Sequence, residues 1–531
     1  MIMSSEDGLN YVYSGWSGGL QEWVTDDDDG VGSGPTNISL SNFTVDALNL
    51  WQMDIGFDSG GSGNQTLIAH PGLNLVHIDN TLNTPVLIGD FPTGAMSQVG
   101  VFTAAGTMVI GPPSVFTIAS VNALIAVGQT VTGTGVPANT TVSIVAVGAS
   151  STTVTLSNTV STSGALTLTF NNNISVSGGC VMLHPYLFVY GNNGLIKNCS
   201  AGNFQDWVSA DSNENTVSAG KIVKGLPVRG GTTAPSGLFW SLDSLIRVSY
   251  APTTVGASTI YWRYDIVTSQ SSILSSSSVI EYDGLFFWCG VDRFLMYNGV
   301  VSEVANNTNI NYFFDNVNYA QRQKVWATKI PRWGEIWWFY PKGDATECTD
   351  AIIFNVRDKI WYDAGEALGA RRAAGTFSEV FRRPIWAGNE ENDSNTYTLW
   401  QHETGTNLVN LSQQSAIQSY FETDSIGWVN GGPNQNDAVG MNNYIRLERV
   451  EPDFVQSGDM NMYVTGKGYA SDVDQVSAAY VFSPTTLKID LREQRREMRL
   501  RFESNVVNGN YECGLNLLSA DVGDMRSTGN P

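Results

Sequence analysis

The sequence predicts an almost entirely β-structured protein, and two observations carry that prediction. Turn-forming residues are dense, with 54 Gly and 18 Pro among 531 residues, and they separate short runs of β-branched or aromatic residues. Apolar residues at the spacing of an amphipathic helix are almost absent. Short apolar runs bounded by Gly, Pro, Asn or Asp are typical of strands. Such runs occupy residues 187–190, 285–288, 294–297 and 336–340.

A loose repeat runs through residues 181–410. Its unit is an aromatic-rich strand, a turn with Gly or Asn, a second strand and often a following Trp. Four copies cover residues 187–207, 284–304, 335–361 and 382–400. Four-stranded units of about 40–55 residues are what a β-propeller requires, since radial repetition leaves only short edges exposed. The sequence therefore predicts a propeller, and a stack of β-sandwiches stays open as the alternative.

Residues 101–173 have a different composition, rich in Val, Thr, Ser, Ala and Gly. Strict alternation at 153–157 and 165–170 predicts strands. We interpret this segment as a small immunoglobulin-like β-sandwich inserted between propeller strands. Residues 127–142 resemble a module with the pattern G-x-x-V-x-G-x-G-(I/V)-P-x-x-T-x-V, which is found inserted in phage and bacterial surface proteins. That resemblance implies an accessory module rather than an activity.

A chain of this length exceeds what one hydrophobic core usually serves, so two or three domains are expected. A polar run near residue 410 marks a boundary. Beyond it, residues 491–502 allow a helix, but Met498, Leu500 and Phe502 alternate with charged residues as a strand does. The predicted division is an N-terminal propeller part (1–100), the inserted sandwich (101–173), the main propeller part (174–410) and a C-terminal β-domain (411–531).

Charge is scarce and unevenly placed. The 50 acidic and 28 basic residues give a net charge of −22, yet the first basic residue is Lys197 and residues 91–196 contain no charged residue. Nucleic-acid binding by counterion release and polybasic membrane binding both need a basic surface, which the first third of the chain lacks. Residues 1–30 have no signal-peptide pattern. No apolar stretch approaches the length of a membrane span, so we expect no membrane anchor.

Metal and cofactor sites find little support. The chain has four His and no C-x-x-C pair, which leaves few ligands for zinc. Four consecutive acids at 26–29 have the chemistry for Ca²⁺, but an EF-hand loop counted from Asp26 needs Glu where Asn37 stands. A solvated acidic turn is the preferred interpretation. We predict no metal and no cofactor, and we expect buried free thiols at Cys180, Cys199, Cys289, Cys348 and Cys513.

Catalytic motifs are also missing from the sequence. Gly133, Gly135 and Ala138 match a dinucleotide fingerprint in form, but they lie between β-branched segments with no helix to follow. Neither G-x-S-x-G nor H-E-x-x-H occurs. A propeller glycosidase needs two acids at a defined separation, which a sequence does not measure. We therefore predict that the protein is not an enzyme and has no catalytic residues.

Two groups of residues have both a binding and a structural interpretation. The five Arg within 491–502 have the chemistry to grip phosphates, but Glu residues lie among them, so cross-strand or intersubunit ion pairs are preferred. Six tryptophans have the chemistry to line a carbohydrate cleft, although a core or subunit interface is preferred for Trp in strands. They are Trp240, Trp262, Trp288, Trp333, Trp337 and Trp338.

A series of motifs between residues 290 and 363 carries a family resemblance. It consists of V-D-R-F-L-M-Y-N-G at 291–299, N-Y-F-F-D-N-V-N at 311–318, E-I-W-W-F-Y-P at 335–341, I-F-N at 353–355 and Trp361. This order resembles the tail nozzle proteins of short-tailed bacteriophages (podoviruses), also known as tail tubular or packaged-DNA-stabilising proteins. Residues 225–231 and 240–243, and residues 499–502 and 514–515 near the end, are similar to the same group.

The resemblance implies a β-propeller subunit of a homohexameric ring at the distal end of a phage tail, with no catalytic residue to carry over. Such a ring retains the packaged genome and conducts it into the host. Its implied partners are the tail adaptor (head-to-tail connector), tail fibres or spikes, and double-stranded DNA that passes without specific binding. The implied location is the virion, after assembly in the host bacterial cytoplasm. A net negative wall suits a conduit because it repels phosphate. The alternatives are a receptor- or glycan-binding tail adhesin and, less favoured, a propeller glycoside hydrolase.

Overall fold

The chain is almost entirely β-structure, as the sequence predicts. The computed structural model describes residues 2–4, 10–16, 19–25, 33–38, 51–59, 65–70, 76–79, 85–87, 102–122, 125, 129–171, 176–204, 206, 209–228, 234–256, 258–305, 310–364, 370–377, 381, 383–391, 396–410, 413–427 and 443–525. The density of contacts divides the chain into unit one (Met1–Glu366 and Ala370–His402) and unit two (Ala367–Gly369 and Glu403–Pro531). The sequence places the corresponding boundary near residue 410.

Apart from the insert, the described residues of unit one form seven small antiparallel sheets, each a meander of strands in chain order. Sheet one has β1 (Ile2–Ser4), β2 (Asn10–Trp16), β3 (Gly19–Thr25) and β4 (Ser33–Asn37). Sheet two has β5 (Gln52–Phe57), β6 (Gln65–His70), β7 (Val76–Asp79) and β8 (Pro85–Leu87). Sheet three has β15 (Gly179–Leu183), β16 (Tyr186–Tyr190), β17 (Leu195–Asn198) and β18 (Asn213–Thr216). Sheet four has β19 (Ile222–Val228), β20 (Ser236–Ser241), β21 (Leu245–Val255) and β22 (Ser258–Thr268).

The last three sheets include three of the four predicted repeats. Sheet five has β23 (Val279–Tyr282), β24 (Leu285–Cys289), β25 (Phe294–Tyr297) and β26 (Val301–Glu303). Sheet six has β27 (Trp326–Ile330), β28 (Glu335–Tyr340), β29 (Asp350–Asn355) and β30 (Ile360–Asp363). Sheet seven has β31 (Arg372–Thr376), β32 (Ile385–Glu391) and β33 (Tyr397–Gln401). Each repeat of the sequence therefore corresponds to one meandering sheet.

Each of these sheets packs on the next through a shared apolar cluster. Members of these clusters that come from neighbouring sheets are, in chain order, Tyr13 and Leu67, Ile68 and Leu187, Phe188 and Phe239, Trp240 and Trp288, Phe287 and Trp338, and Phe339 and Trp386. Val12 of sheet one shares a further cluster with Phe381, beside Ile385 and Leu399 of sheet seven. The succession of contacts thus returns to its starting sheet. Because both faces of most sheets are covered, their central strands are continuously apolar, as in β16.

The inserted segment forms one curled sheet. Its strands are β9 (Phe102–Val109), β10 (Val115–Ile118), β11 (Thr130–Thr132), β12 (Val142–Val147), β13 (Thr152–Leu156) and β14 (Gly164–Asn171), paired in the order β11-β14-β9-β10-β13-β12. A bridge between Thr130 and Thr141 brings β11 to the start of β12. The two separate sheets of the predicted immunoglobulin-like sandwich are therefore not confirmed. Alternation predicts one buried face per strand, and a curled sheet satisfies it as well as two flat sheets do.

Unit two has sheets that pack around a second apolar core. Its strands are β34 (Asn407–Asn410), β35 (Gln413–Ala416), β36 (Ser419–Glu422), β37 (Asn443–Glu451), β38 (Phe454–Ser457), β39 (Met460–Lys467), β40 (Gln475–Val476), β41 (Tyr480–Phe482), β42 (Ile489–Arg495), β43 (Glu497–Ser504), β44 (Asn510–Cys513) and β45 (Leu517–Met525). Met498, Leu500 and Phe502 are buried along β43, while the intervening charged residues point outward. The prediction of a strand rather than a helix here is confirmed.

Helical structure is confined, in the described ranges, to α1 (Ile310–Asn316) and two 3-10 turns (Asn192–Gly194 and Tyr319–Lys324). No pattern in the sequence predicts α1, because a helix of seven residues is too short for a periodic signal. Phe313 of this helix is buried between sheets five and six, with its ring centroid 5.1 Å from that of Phe294 and 4.7 Å from that of Tyr340. Tertiary packing therefore stabilises this helix.

Candidate functional site

The first strands of sheets two, three and four meet at a buried polar junction. Gln52 of β5 donates through Nε2 to the carbonyl oxygens of Gly178 (2.5 Å) and Val223 (3.2 Å). Tyr190 donates its hydroxyl to Oε1 of the same amide at 2.8 Å and accepts from the backbone N–H of Gly225 at 2.8 Å. Both polar atoms of the Gln52 amide are thus hydrogen-bonded, and they link strand β5 to residues of sheets three and four that lie far away in the sequence.

Asp54, two residues along β5, adds a second link to sheet three. Its Oδ2 accepts from the backbone N–H of Met182 at 2.8 Å, and its Oδ1 accepts from that of Ile55 at 2.8 Å. Burial raises the pKa of this carboxyl above its usual range, and these two hydrogen bonds and the nearby Lys224 ammonium oppose the rise. Burial likewise lowers the pKa of Lys224. The carboxylate therefore serves as a fixed acceptor for the neighbouring strand.

His70, at the end of β6, forms a third link. Its Nε2 lies 2.7 Å from the carbonyl oxygen of Val176, so that nitrogen carries the proton and donates. The imidazole is almost completely buried, and burial lowers its pKa to about 4. Asp58 accepts from the backbone N–H of Phe204 at 3.1 Å nearby. These hydrogen bonds join sheets two and three, which the insert separates in the sequence.

The burial of His70 predicts acid sensitivity in a defined pH range. The unfolded imidazole takes up a proton below about pH 6.5, whereas the folded one stays neutral down to about pH 4. Stability is therefore complete above about pH 6.5 and falls as the pH drops towards 4. Between pH 7 and pH 5 this residue should account for a loss of about 2 kcal/mol. Urea unfolding of the wild type and of His70→Gln at both pH values measures it.

The Gln variant retains an N–H donor for Val176 and does not titrate, so its loss on acidification should be about 2 kcal/mol smaller than that of the wild type. His184, which is exposed, provides the control. His184→Gln makes the same exchange of side chains at an exposed position. An equal pH dependence in the wild type and His70→Gln contradicts the assignment.

The first strands of the later sheets also place charged groups in pairs. Glu281 of β23 and Lys329 of β27 lie 3.1 Å apart, which joins sheets five and six. In sheet seven, buried Arg372 donates through Nε to Nε2 of His402 at 2.9 Å. Burial, with the guanidinium beside it, lowers the pKa of His402 to about 3. The carboxylates found on the described first strands, Asp54 and Glu281, are therefore both committed to structural contacts.

The six tryptophans do not converge on one cleft. Trp240, Trp262, Trp288 and Trp338 are buried in clusters between sheets. Of these, Trp338 donates through Nε1 to the carbonyl oxygen of Ser278 at 2.9 Å. Trp337 is partly buried and Trp333, in the turn before β28, is 47% exposed. The core interpretation thus describes most of the set.

The arginines of the C-terminal strands are paired within unit two. Arg499 contacts Glu422 at 3.1 Å and Asp474 at 2.5 Å. Arg501 contacts Glu503 at 3.1 Å, and its guanidinium carbon lies 3.8 Å above the ring of Tyr420. Arg499 and Glu422 pair across the neighbouring strands β43 and β36, whereas Arg501 and Glu503 lie on the same strand, so these two arginines of the run are engaged in contacts within unit two.

Four of the five cysteines are buried, as expected, but Cys513 is exposed, so that part of the expectation is wrong. Cys513 lies on the two-stranded sheet formed by β38 and β44, and its place in the alternating pattern does not indicate whether its side chain is buried.

The acidic run 26–29 lies outside the described residues. Among the residues that are described, no group of three or more His, Cys, Asp or Glu is placed to hold a metal ion. In the same ranges no helix has the length and apolar character needed to cross a bilayer.

A shallow cleft opens beside the polar junction. It has a volume of about 410 Å³ and is lined by Ile55, Gly56, Phe57, Gln65 and His184. None of these residues is a carboxylate or a nucleophile paired with a base, which are the groups that hydrolysis requires. The cleft therefore supplies a surface but no catalytic arrangement.

Sequence reasoning missed the junction residues Gln52, Asp54 and Tyr190. Gln52 reaches partners 126 and 171 positions away, so no local pattern marks it. A polar residue within an otherwise apolar strand, such as Asp54 in Gln52–Phe57, is the feature of the sequence that indicates a buried polar contact.

Comparison with known proteins shows only remote likeness. No family model and no curated protein matches the chain. Among solved structures, a puromycin hydrolase aligns with 74% of this chain at 10% identity and a TM-score of 0.34, and the chain spans half of that protein's length. A Bacteroides fragilis protein whose name describes it as exported aligns with 73% of this chain and 86% of its own (9% identity, TM-score 0.29). An exo-β-1,3-galactanase from Phanerochaete chrysosporium aligns with 64% of this chain and 95% of its own, at 9% identity and a TM-score of 0.23. Scores this low assign no activity.

Proposed function

We propose that unit one is a β-propeller and that the protein is a structural subunit of the tail nozzle ring of a short-tailed phage. The observation that carries the proposal is the closed succession of seven sheets, in which Val12 of sheet one and Phe381 beside sheet seven share a cluster. Radial repetition of small meandering sheets has this contact pattern. The same pattern fits the architecture that the family resemblance implies.

The residues behind that resemblance support a structural role. Phe294, Phe313, Trp338 and Trp361 come from separate motifs, yet all pack in or against one cluster between sheets five and six. Phe294 lies 5.0 Å from Trp338 and 4.7 Å from Trp361 between ring centroids. The motifs therefore describe how two neighbouring sheets pack.

The charge supports passage of DNA rather than binding to it. The net charge of −22 disfavours duplex adhesion, and Arg495, Arg499 and Arg501 of unit two are paired with acids. In a ring of about six copies this charge would be multiplied, and the summed potential would repel the phosphate backbone. The partners would then be further copies of the chain, a tail adaptor and tail fibres or spikes, in the virion.

Native mass spectrometry and particle imaging of the purified full chain test this function. We expect a closed ring of about six copies with an open axis, and no retention of linear duplex DNA at physiological salt. A protein that remains monomeric at high concentration and does not associate with a tail adaptor contradicts the proposal. A trimer would instead favour the adhesin.

A further inference from the structure

Sheet four carries an extension that its neighbours lack. Its last two strands, Leu245–Val255 and Ser258–Thr268, have eleven residues each, whereas the strands of sheets three and five have three to five. The outer part of this hairpin, residues 251–260, is here named the arm. Its register shifts between Tyr250 and Thr253, an irregularity of the β-bulge type that marks where the arm begins.

The arm is exposed on both faces. Every residue from 251 to 256 is exposed, and so are Thr259 and Ile260. Val255 and Ile260 expose 60% and 50% of their surface. A two-stranded hairpin with both faces in water is marginally stable, and β-branched side chains favour a flat surface that packs on another sheet. The arm therefore has the properties of an element that is covered in an assembly.

Charge indicates what covers it. No charged residue occurs from 248 to 262, and the arm is flanked by Arg247 and Arg263. The chain as a whole carries −22, so two copies repel each other over most of their surface. A neutral arm avoids this repulsion, provided that it meets a neutral surface. A second copy of the same chain offers one.

That surface is the outer face of the insert sheet. Residues 91–196 carry no charge, and the strand register aligns outward-facing residues across four strands. One row consists of Val109, Val115, Thr155 and Ile144. Val109 and Ile144 expose 59% and 58% of their surface. The face is thus rich in β-branched residues and neutral, which matches the arm.

We propose that the arm of one copy packs on the outer face of the insert sheet of a second copy. The two surfaces are different parts of one chain, so the contact is heterologous, and its repetition gives a ring where the rotation between copies closes and a filament where it does not. The ladder of the arm is about 10 Å long at about 3.4 Å per residue. One such contact buries less than the roughly 800 Å² per partner of a stable dimer. In a ring, each copy gives one arm and receives another.

The inference deepens the proposed nozzle function, and it is tested on the full chain with charge variants. Thr254 and Val255 point to opposite faces of the arm, so Thr254→Lys and Val255→Lys are made separately. At least one should weaken assembly about tenfold or more, because it buries an unpaired charge. Thr155→Glu on the insert should have a similar effect. The double variant that combines Thr155→Glu with the disruptive Lys should restore assembly to within about threefold, because the two charges pair.

The control is Thr36→Lys on the exposed strand β4, which should assemble like the wild type. Sedimentation and native mass spectrometry give the assembly constants, and circular dichroism checks that each variant is folded. Hydrogen exchange of the wild type provides a second measurement, in which the arm amides should be protected only in the assembled form.

The outcomes separate this inference from the proposed function. Single variants that assemble like the wild type overturn the arm contact and leave the ring intact. Weakened singles without rescue in the double variant overturn the pairing of arm and insert. A wild type that assembles through the arm into something other than a six-fold ring supports the contact and contradicts the nozzle. A wild type that never self-associates overturns both.

Discussion

Replacing Trp338 with Ala should lower the free energy of unfolding of unit one by about 4 kcal/mol. The indole is fully buried between sheets five and six, where its ring centroid lies 5.0 Å from that of Phe294 and 5.8 Å from that of Trp361. Truncating a buried Trp to Ala in a core costs about 3–5 kcal/mol. The variant also removes the N–H that donates to the carbonyl oxygen of Ser278.

Urea unfolding followed by tryptophan fluorescence measures this loss. The signal reports on unit one because Trp428 is the only tryptophan after residue 402. Trp333, in the turn that precedes β28, is the matched control because it is 47% exposed. Trp333→Ala should cost less than about 0.5 kcal/mol. Equal losses in the two variants would show that the packing between sheets five and six has been misassigned.

Replacing Gly178 with Ala should destabilise unit one by more than about 3 kcal/mol. A Cβ at this position would lie 2.0 Å from the carbonyl oxygen of Ile222 and 2.7 Å from that of Tyr190. Both contacts are to backbone atoms, so a rotamer change offers no relief. Sheets three and four must therefore move apart, which also strains the hydrogen bond from Gln52 to the Gly178 carbonyl.

Gly111→Ala is the matched control for this substitution. Gly111 lies in the insert of the same unit, and a Cβ there would be 3.4 Å from its nearest neighbour, which is an ordinary contact. It should unfold within about 0.5 kcal/mol of the wild type. Hydrogen exchange should show increased opening of strands β15 and β19 in Gly178→Ala alone. Wild-type protection in these strands would contradict the close approach of the two sheets.

The sequence predicts the sheets well because their signals are local. Three copies of the repeat correspond to sheets five, six and seven, and the copy at 187–207 corresponds to part of sheet three. The alternation at Met498, Leu500 and Phe502 predicts a strand of unit two, and these three residues are buried on one face. Period-two patterns and turn residues need only neighbours in the chain to act.

Other features depend on contacts that the sequence does not display. The alternating strands of the insert predict a buried face but not which strands pair, so a curled sheet stands where a sandwich was expected. The helix Ile310–Asn316 is stabilised by burying Phe313 between two sheets rather than by periodicity. Cys513 has no local feature that separates it from the buried cysteines.

The amino-acid sequence alone shows that this protein is built from short strands, that residues 91–196 carry no charge and that its aromatic residues lie in repeated strands. Alternation, turn chemistry and net charge are properties of neighbouring residues and of composition, so they are readable without a fold. The fold is needed to show that Gln52 joins three sheets, that Arg499 pairs with Glu422 and that a neutral hairpin stands uncovered. Those features arise between residues far apart in the chain, which only the fold brings together.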